Sequence, residues 1–155
     1  MSVINMPLSR YIRRKLRKLR NFSVMAKIFN LSVAKQETLR NQLIAVDATR
    51  RKLLLIKKEK SNVDYRVVDL QNVQQVSVKK VYGRIPAGDL QTKGLNHFLQ
   101  SVSLQLRFKG GAEPVDVNFY ESRYNTIKQQ SFLEAAANKW EAFVNGLLRR
   151  SPAVA

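Results

Sequence analysis

The sequence predicts an α+β chain, mainly β: a meander of at least six antiparallel strands closed by a C-terminal helix and preceded by a basic helical arm. Three observations carry this. From Asn41 to Tyr120 apolar residues alternate with polar ones; after Ser131 they recur at helical spacing; and before Asn41 a helical apolar stripe overlaps a dense run of cations. A chain of 155 residues suits one domain with an appendage. The pattern changes divide it into an arm (1–40), a β-domain with its helix (41–150) and a tail (151–155). At 45% apolar residues the composition supports a core.

The arm comes first in order. Leu8, Ile12, Leu16 and Leu19 recur at intervals of four, four and three, and Phe22 and Ala26 continue that face. Pro7 fits a first helical turn, where its missing N–H costs nothing. Asn21 and Ser23 weaken the helix, so an interruption is expected before residues 24–34. The other faces carry Arg10, Arg13, Arg14, Lys15, Arg17, Lys18 and Arg20, seven basic residues in eleven.

Strands are expected at residues 42–47, 52–58, 63–70, 73–81, 100–108 and 115–120, where β-branched residues dominate. Ala48-Thr49-Arg50-Arg51 makes the first hairpin turn, Lys60-Ser61-Asn62 the next, and Lys109-Gly110-Gly111-Ala112 the last. In 100–108, Val102, Leu104, Leu106 and Phe108 face one way and Ser101, Ser103, Gln105 and Arg107 the other, so each strand has one buried face. Residues 82–99 form a long connection with room for a seventh strand, and residues 121–130 form a second, polar one. The closing helix starts at Ser131, with Glu134 completing a capping box. Phe132, Leu133, Ala136, Trp140, Phe143, Val144 and Leu147 make its apolar stripe, Arg149 and Arg150 suit its C-terminal dipole, and Ser151-Pro152 ends it.

Six antiparallel strands followed by one amphipathic helix resemble a pleckstrin-homology-like domain over residues 41–150. AANKWEAFVNGLL (136–148) is similar to the end of that fold, and LIAVDATRRKLLLI (43–56) to the short first hairpin of its bacterial members. The resemblance implies a bent sheet or barrel of six to seven strands, with Trp140 packed on its open mouth. It also implies a scaffold that binds lipid headgroups or proteins without catalysis. This sequence departs from the lipid-binding members: Arg50, Arg51 and Lys52 stand at a short hairpin tip, with no long loop to wrap an inositol phosphate. No headgroup pocket is carried over.

Charge and composition then narrow the function. The net charge is +17, and residues 1–40 hold ten basic residues against one acidic, Glu37. Such asymmetry predicts an arm that meets anions. There is no Cys and a single His, His97, which removes thiolate metal sites, thiol nucleophiles and most imidazole chemistry. His97 has no carboxylate or second His at ligand spacing. Asp47, Asp64, Asp69 and Asp116 read as turn or outward residues, and no P-loop or nucleophile elbow is present. The expectation is a protein that is not an enzyme and takes no cofactor, metal or small-molecule substrate.

The expected partner is an anionic membrane surface or an acidic protein. It is met by the seven cations of 10–20, with Leu8, Ile12, Leu16 and Leu19 inserting or packing beneath them. At about 1 kcal/mol per cation near an anionic bilayer, seven give an upper bound of roughly 7 kcal/mol. A second basic patch is expected from Arg50, Arg51, Lys52, Lys57 and Lys58, with Lys60 beside it; the alternative is exposed charge that discourages edge pairing. Nucleic acid is the competing partner, because the same cations neutralise phosphates. Pure phosphate binding, however, needs no aligned apolar face, and Tyr65, Tyr82 and Tyr120 are too scattered for a base-stacking motif. Lys27 splits the only apolar stretch, residues 22–34, which is well short of the roughly 20 residues a membrane span requires. A cytoplasmic, peripheral protein is therefore expected rather than a membrane-spanning one.

Overall fold

A computed structural model of the chain describes Val3–Ile4 and residues 33–149. It divides into two compact units, Met1–Asn72 and Val73–Ala155, a division that falls inside the stretch 41–150.

In the first unit the alternating segments become β2 (Lys35–Thr38), β3 (Gln42–Asp47), β4 (Lys52–Glu59) and β5 (Asn62–Asp69). Consecutive strands pair antiparallel, and a two-residue strand, β1 (Val3–Ile4), adds to the outer side of β5 at Val67 and Val68. Register places Leu43 and Ala45 beside Ile56 and Leu54, and with Val63 they form an apolar cluster on one face of the sheet. The opposite face is apolar too: Ile44, Val46, Leu53 and Val68 are fully buried.

The β3–β4 turn is fixed by Asp47, which is 0% exposed and accepts the Arg50 backbone N–H at 2.9 Å. Arg51 then takes a left-handed backbone (φ 56°) and its carbonyl accepts the Leu70 N–H at 2.9 Å. Asp47 is thus a buried turn-former and not an outward residue. The side chain of an aspartate at the start of a turn caps backbone donors that the turn would otherwise leave unpaired.

The second unit holds β6 (Val73–Tyr82), β7 (Leu99–Phe108) and β8 (Val115–Glu121) in the order β6-β7-β8, all antiparallel. Helix α2 (Gln130–Arg149) packs on all three, and a short helix α1 (Asp89–Thr92) lies between β6 and β7. The buried seam of α2 is Ala137, Trp140, Val144 and Leu147, spaced by three, four and three. Trp140 is 1% exposed, with its ring edge-on to Phe143 at 6.4 Å.

Strand β6 lies at an edge of its sheet, and α2 covers that edge with polar side chains. Asn145 accepts the Val76 N–H at 3.1 Å and donates to the Val76 carbonyl at 2.7 Å, as a neighbouring strand would. Glu141 accepts the Val78 N–H at 2.5 Å, and Glu134 pairs with Lys80. These contacts occupy backbone groups that an open edge would offer to another chain.

Several expectations are corrected. The strands form two separate sheets and not a closed barrel among the described residues; residues 41–150 hold six strands, as expected, and two extra ones precede them. The extra ones lie at the N-terminal side, so the hairpin at 43–56 follows an earlier strand, β2, and residues 35–38 are sheet rather than arm. The 82–99 connection contains α1 and a 3-10 turn (Leu95–Phe98) in place of a seventh strand. The capping box uses Thr126 and Gln129, which open a 3-10 turn (Ile127–Gln129) leading into α2, so the helix begins before Ser131. Glu134 is engaged with Lys80 instead. Ser103 and Gln105, assigned to the outward face of β7, are buried; Gln105 donates to Asp116 at 3.0 Å and accepts from Arg107 at 3.2 Å, which satisfies its amide.

Candidate anionic-surface interface

The cations Arg10, Arg13, Arg14, Lys15, Arg17, Lys18 and Arg20 and the stripe Leu8, Ile12, Leu16 and Leu19 lie outside the described residues. Their charge is a fact of sequence: residues 1–32 hold eight basic residues and no acidic one, whereas 33–149 hold nineteen basic and eleven acidic.

The five residues of the expected second patch are placed by β4 and are not brought together. Arg50, Arg51 and Lys52 stand at the β3–β4 turn, and Lys57 and Lys58 at the far end of the strand. Five residues of extended chain separate Lys52 from Lys57 by about 17 Å. Consecutive side chains alternate, so Lys57 and Lys58 also point to opposite faces of the sheet.

Carboxylates accompany three of the five. Lys52 meets Asp69 at 3.1 Å across the β4–β5 pair, Arg50 approaches Asp47 at 4.0 Å, and Lys57 meets Glu59 at 2.7 Å. The hydrogen bond from Lys57 and then its charge hold the Glu59 carboxyl below its ordinary value of 4.5, with burial opposing weakly. The Lys57–Glu59 pair is exposed, and such pairs contribute little stability. Their arrangement suits local turn and strand chemistry more than one extended field.

The second unit presents a different surface. Every large hydrophobic side chain that is exposed among the described residues belongs to it: Val81, Leu90, Leu95, Tyr124, Ile127 and Phe132. They come from the end of β6, the β6–β7 connection, the β8–α2 connection and the first turn of α2, and the hydrogen bonds gather these stretches at one end of the sheet. Gly83 N–H donates to Phe98 C=O at 2.8 Å, and Ser122 N–H to Gln100 C=O at 2.8 Å. The buried Gln130 amide donates to both Asn96 C=O and the Tyr120 hydroxyl at 2.9 Å, tying the start of α2 to the β6–β7 connection.

Phe132 is 74% exposed and Ile127 54%. Phe132 therefore does not belong to the core stripe in which its apolar character and position placed it. At 100° per residue it lies about 100° from the centre of the Ala137–Leu147 seam.

Cations share that end. Arg123 lies 5.7 Å from the Tyr124 ring centroid, in cation–π range, and Lys128 is exposed one residue after Ile127. The nearby carboxylates are engaged. Asp89 approaches Lys93 at 4.0 Å, Glu121 accepts from Asn118 at 2.6 Å, and Glu134 holds Lys80. That last hydrogen bond raises the Lys80 ammonium above its ordinary 10.5, against a smaller opposing effect of burial.

The remaining sequence candidates do not converge. His97 is exposed beside Phe98, its ring 6.1 Å away in an edge arrangement, and no group of three His, Asp or Glu residues that could hold a metal occurs among the described residues. Tyr120 is buried beneath Gln130, and Tyr65 packs against the first-unit cluster, so neither is a free stacking platform. No helix among the described residues is long and apolar enough to cross a membrane. No family model, curated protein or solved structure matches the chain.

Proposed function

We propose that the protein is a non-catalytic binding module that docks peripherally on an anionic surface, that of a cytoplasmic membrane leaflet, through Arg10, Arg13, Arg14, Lys15, Arg17, Lys18 and Arg20. The observation that carries the reading is the coincidence, within one short stretch, of those seven cations with the apolar repeat Leu8, Ile12, Leu16 and Leu19. Electrostatic attraction brings the segment to the headgroups, and the apolar side chains hold it there. Apart from β1, four strands in one sheet, three in another and a C-terminal helix follow the element order of a pleckstrin-homology-like domain, which supports that reading of the scaffold. Scaffold likeness alone carries no ligand.

Sedimentation with vesicles of graded phosphatidylserine content tests the proposal. Binding should rise with anionic lipid and fall with salt. A protein that ignores anionic vesicles at low salt, yet co-purifies with nucleic acid by its ultraviolet absorbance ratio, would place the same cations on phosphates of RNA or DNA instead.

A further inference from the structure

The six exposed hydrophobic side chains of the second unit are spread over about 50 residues of sequence, yet all lie at one end of one sheet. Isolated exposed apolar residues are ordinary; a gathered set rimmed by cations marks an interaction site. None of these side chains belongs to the core, which is built from the Ala137–Leu147 seam of α2 and from the strand faces. From Tyr124 to Phe132 the order is aromatic, then aliphatic, cation, and aromatic, preceded by Arg123. That alternation suits a bilayer interface, where apolar side chains enter beneath the headgroups while Lys and Arg remain among the phosphates.

We propose that this end of the second unit, centred on Leu95, Tyr124, Ile127 and Phe132 with Arg123 and Lys128 at its rim, inserts shallowly into an anionic bilayer interface. The charge argues for lipid of that sign. Neither Arg123 nor Lys128 has an ion pair among the described residues, while Asp89 and Glu134 are paired with Lys93 and Lys80. That leaves the two cations against one carboxylate, Glu121, which is held by the neutral Asn118 amide. The inference shares the bilayer with the function proposed above but rests on different residues.

The absence of cysteine permits a direct test on the full chain, since one introduced thiol is labelled uniquely. Ile127→Cys carrying an environment-sensitive fluorophore should brighten and shift to the blue with mixed phosphatidylcholine–phosphatidylserine vesicles. The same label at Ser61→Cys, in the exposed β4–β5 turn, should not. Unlabelled Ile127→Ser/Phe132→Ser should weaken partition about tenfold while leaving the thermal midpoint unchanged, because both side chains are already exposed.

If the protein sediments with vesicles but the label at 127 reports water, the proposal falls and the arm reading stands. If the shift persists after the seven arm cations are replaced by Gln, the proposal stands and the arm reading falls. A shift that grows with protein concentration without vesicles would mark self-association through this face, and would overturn the insertion.

Discussion

At the scale of single residues, burial separates aromatics that the sequence treats alike. Trp140 and Phe132 lie on one helix, but Trp140 is on the seam and Phe132 is off it. Trp140→Ala should therefore cost about 3–5 kcal/mol of unfolding free energy, whereas Phe132→Ala should stay within about 0.5 kcal/mol; urea denaturation of the two variants checks both. Ionisation separates residues in the same way. Glu134 raises the Lys80 pKa in the folded state, so the pair's contribution is whole below 10.5 and is lost as the pH climbs through the elevated value. Glu134→Gln should return Lys80 to its ordinary range and flatten the alkaline limb of the stability profile. At Glu59 the sign is opposite: the lowered carboxyl stabilises above 4.5, and the effect is lost as the pH falls through the folded value. Lys57→Ala should bring the Glu59 titration back up, as followed by carboxyl NMR shifts.

At the scale of elements, the edge of β6 depends on one amide. Asn145→Ala removes the partners of both the Val76 N–H and the Val76 C=O, leaves these backbone groups under the helix and should cost about 1–3 kcal/mol. It should also speed hydrogen exchange at Val76 more than at Val102, which is paired on both sides by β6 and β8. The β7–β8 turn is sensitive for a different reason: Gly110 and Gly111 both have φ near +80°, where a Cβ is strained, so Gly110→Ala should cost about 1 kcal/mol although nothing crowds it. Period-two alternation located Gln42–Asp47 to the residue and Leu99–Phe108 to within one, because one apolar face writes itself into such strands. Lys35–Thr38 was illegible: Lys, Gln, Glu and Thr carry no apolar alternation, and the segment is a strand through pairing with β3. The helix start is ambiguous in sequence because Thr126-x-x-Gln129 and Ser131-x-x-Glu134 share one spacing, and only the second precedes the apolar run directly. The basic arm was legible as charge. The apolar end of the second unit was not, because its residues converge from separate stretches and Phe132 was assigned to the core.

At the scale of the whole molecule, the positive charge is concentrated toward the N-terminal part of the sequence. The chain carries +17, and the arm's seven cations are the densest share of it. Exposed charges are screened over about 8 Å at physiological ionic strength, so adhesion led by them should weaken steeply with salt. Truncating the arm is a poor test, because it would also remove β1, which pairs with β5 at Val67 and Val68. Replacing Arg10, Arg13, Arg14, Lys15, Arg17, Lys18 and Arg20 by Gln keeps β1 and the apolar stripe while removing seven positive charges. The decisive measurement is the vesicle partition coefficient of this full-length variant and of the native chain, across a salt series on phosphatidylserine-containing vesicles. The native chain should bind strongly and salt-sensitively at low ionic strength, and the variant should lose most of that binding and most of its salt dependence. Equal partition of the two proteins, or native binding that does not change with salt, would contradict the proposed docking.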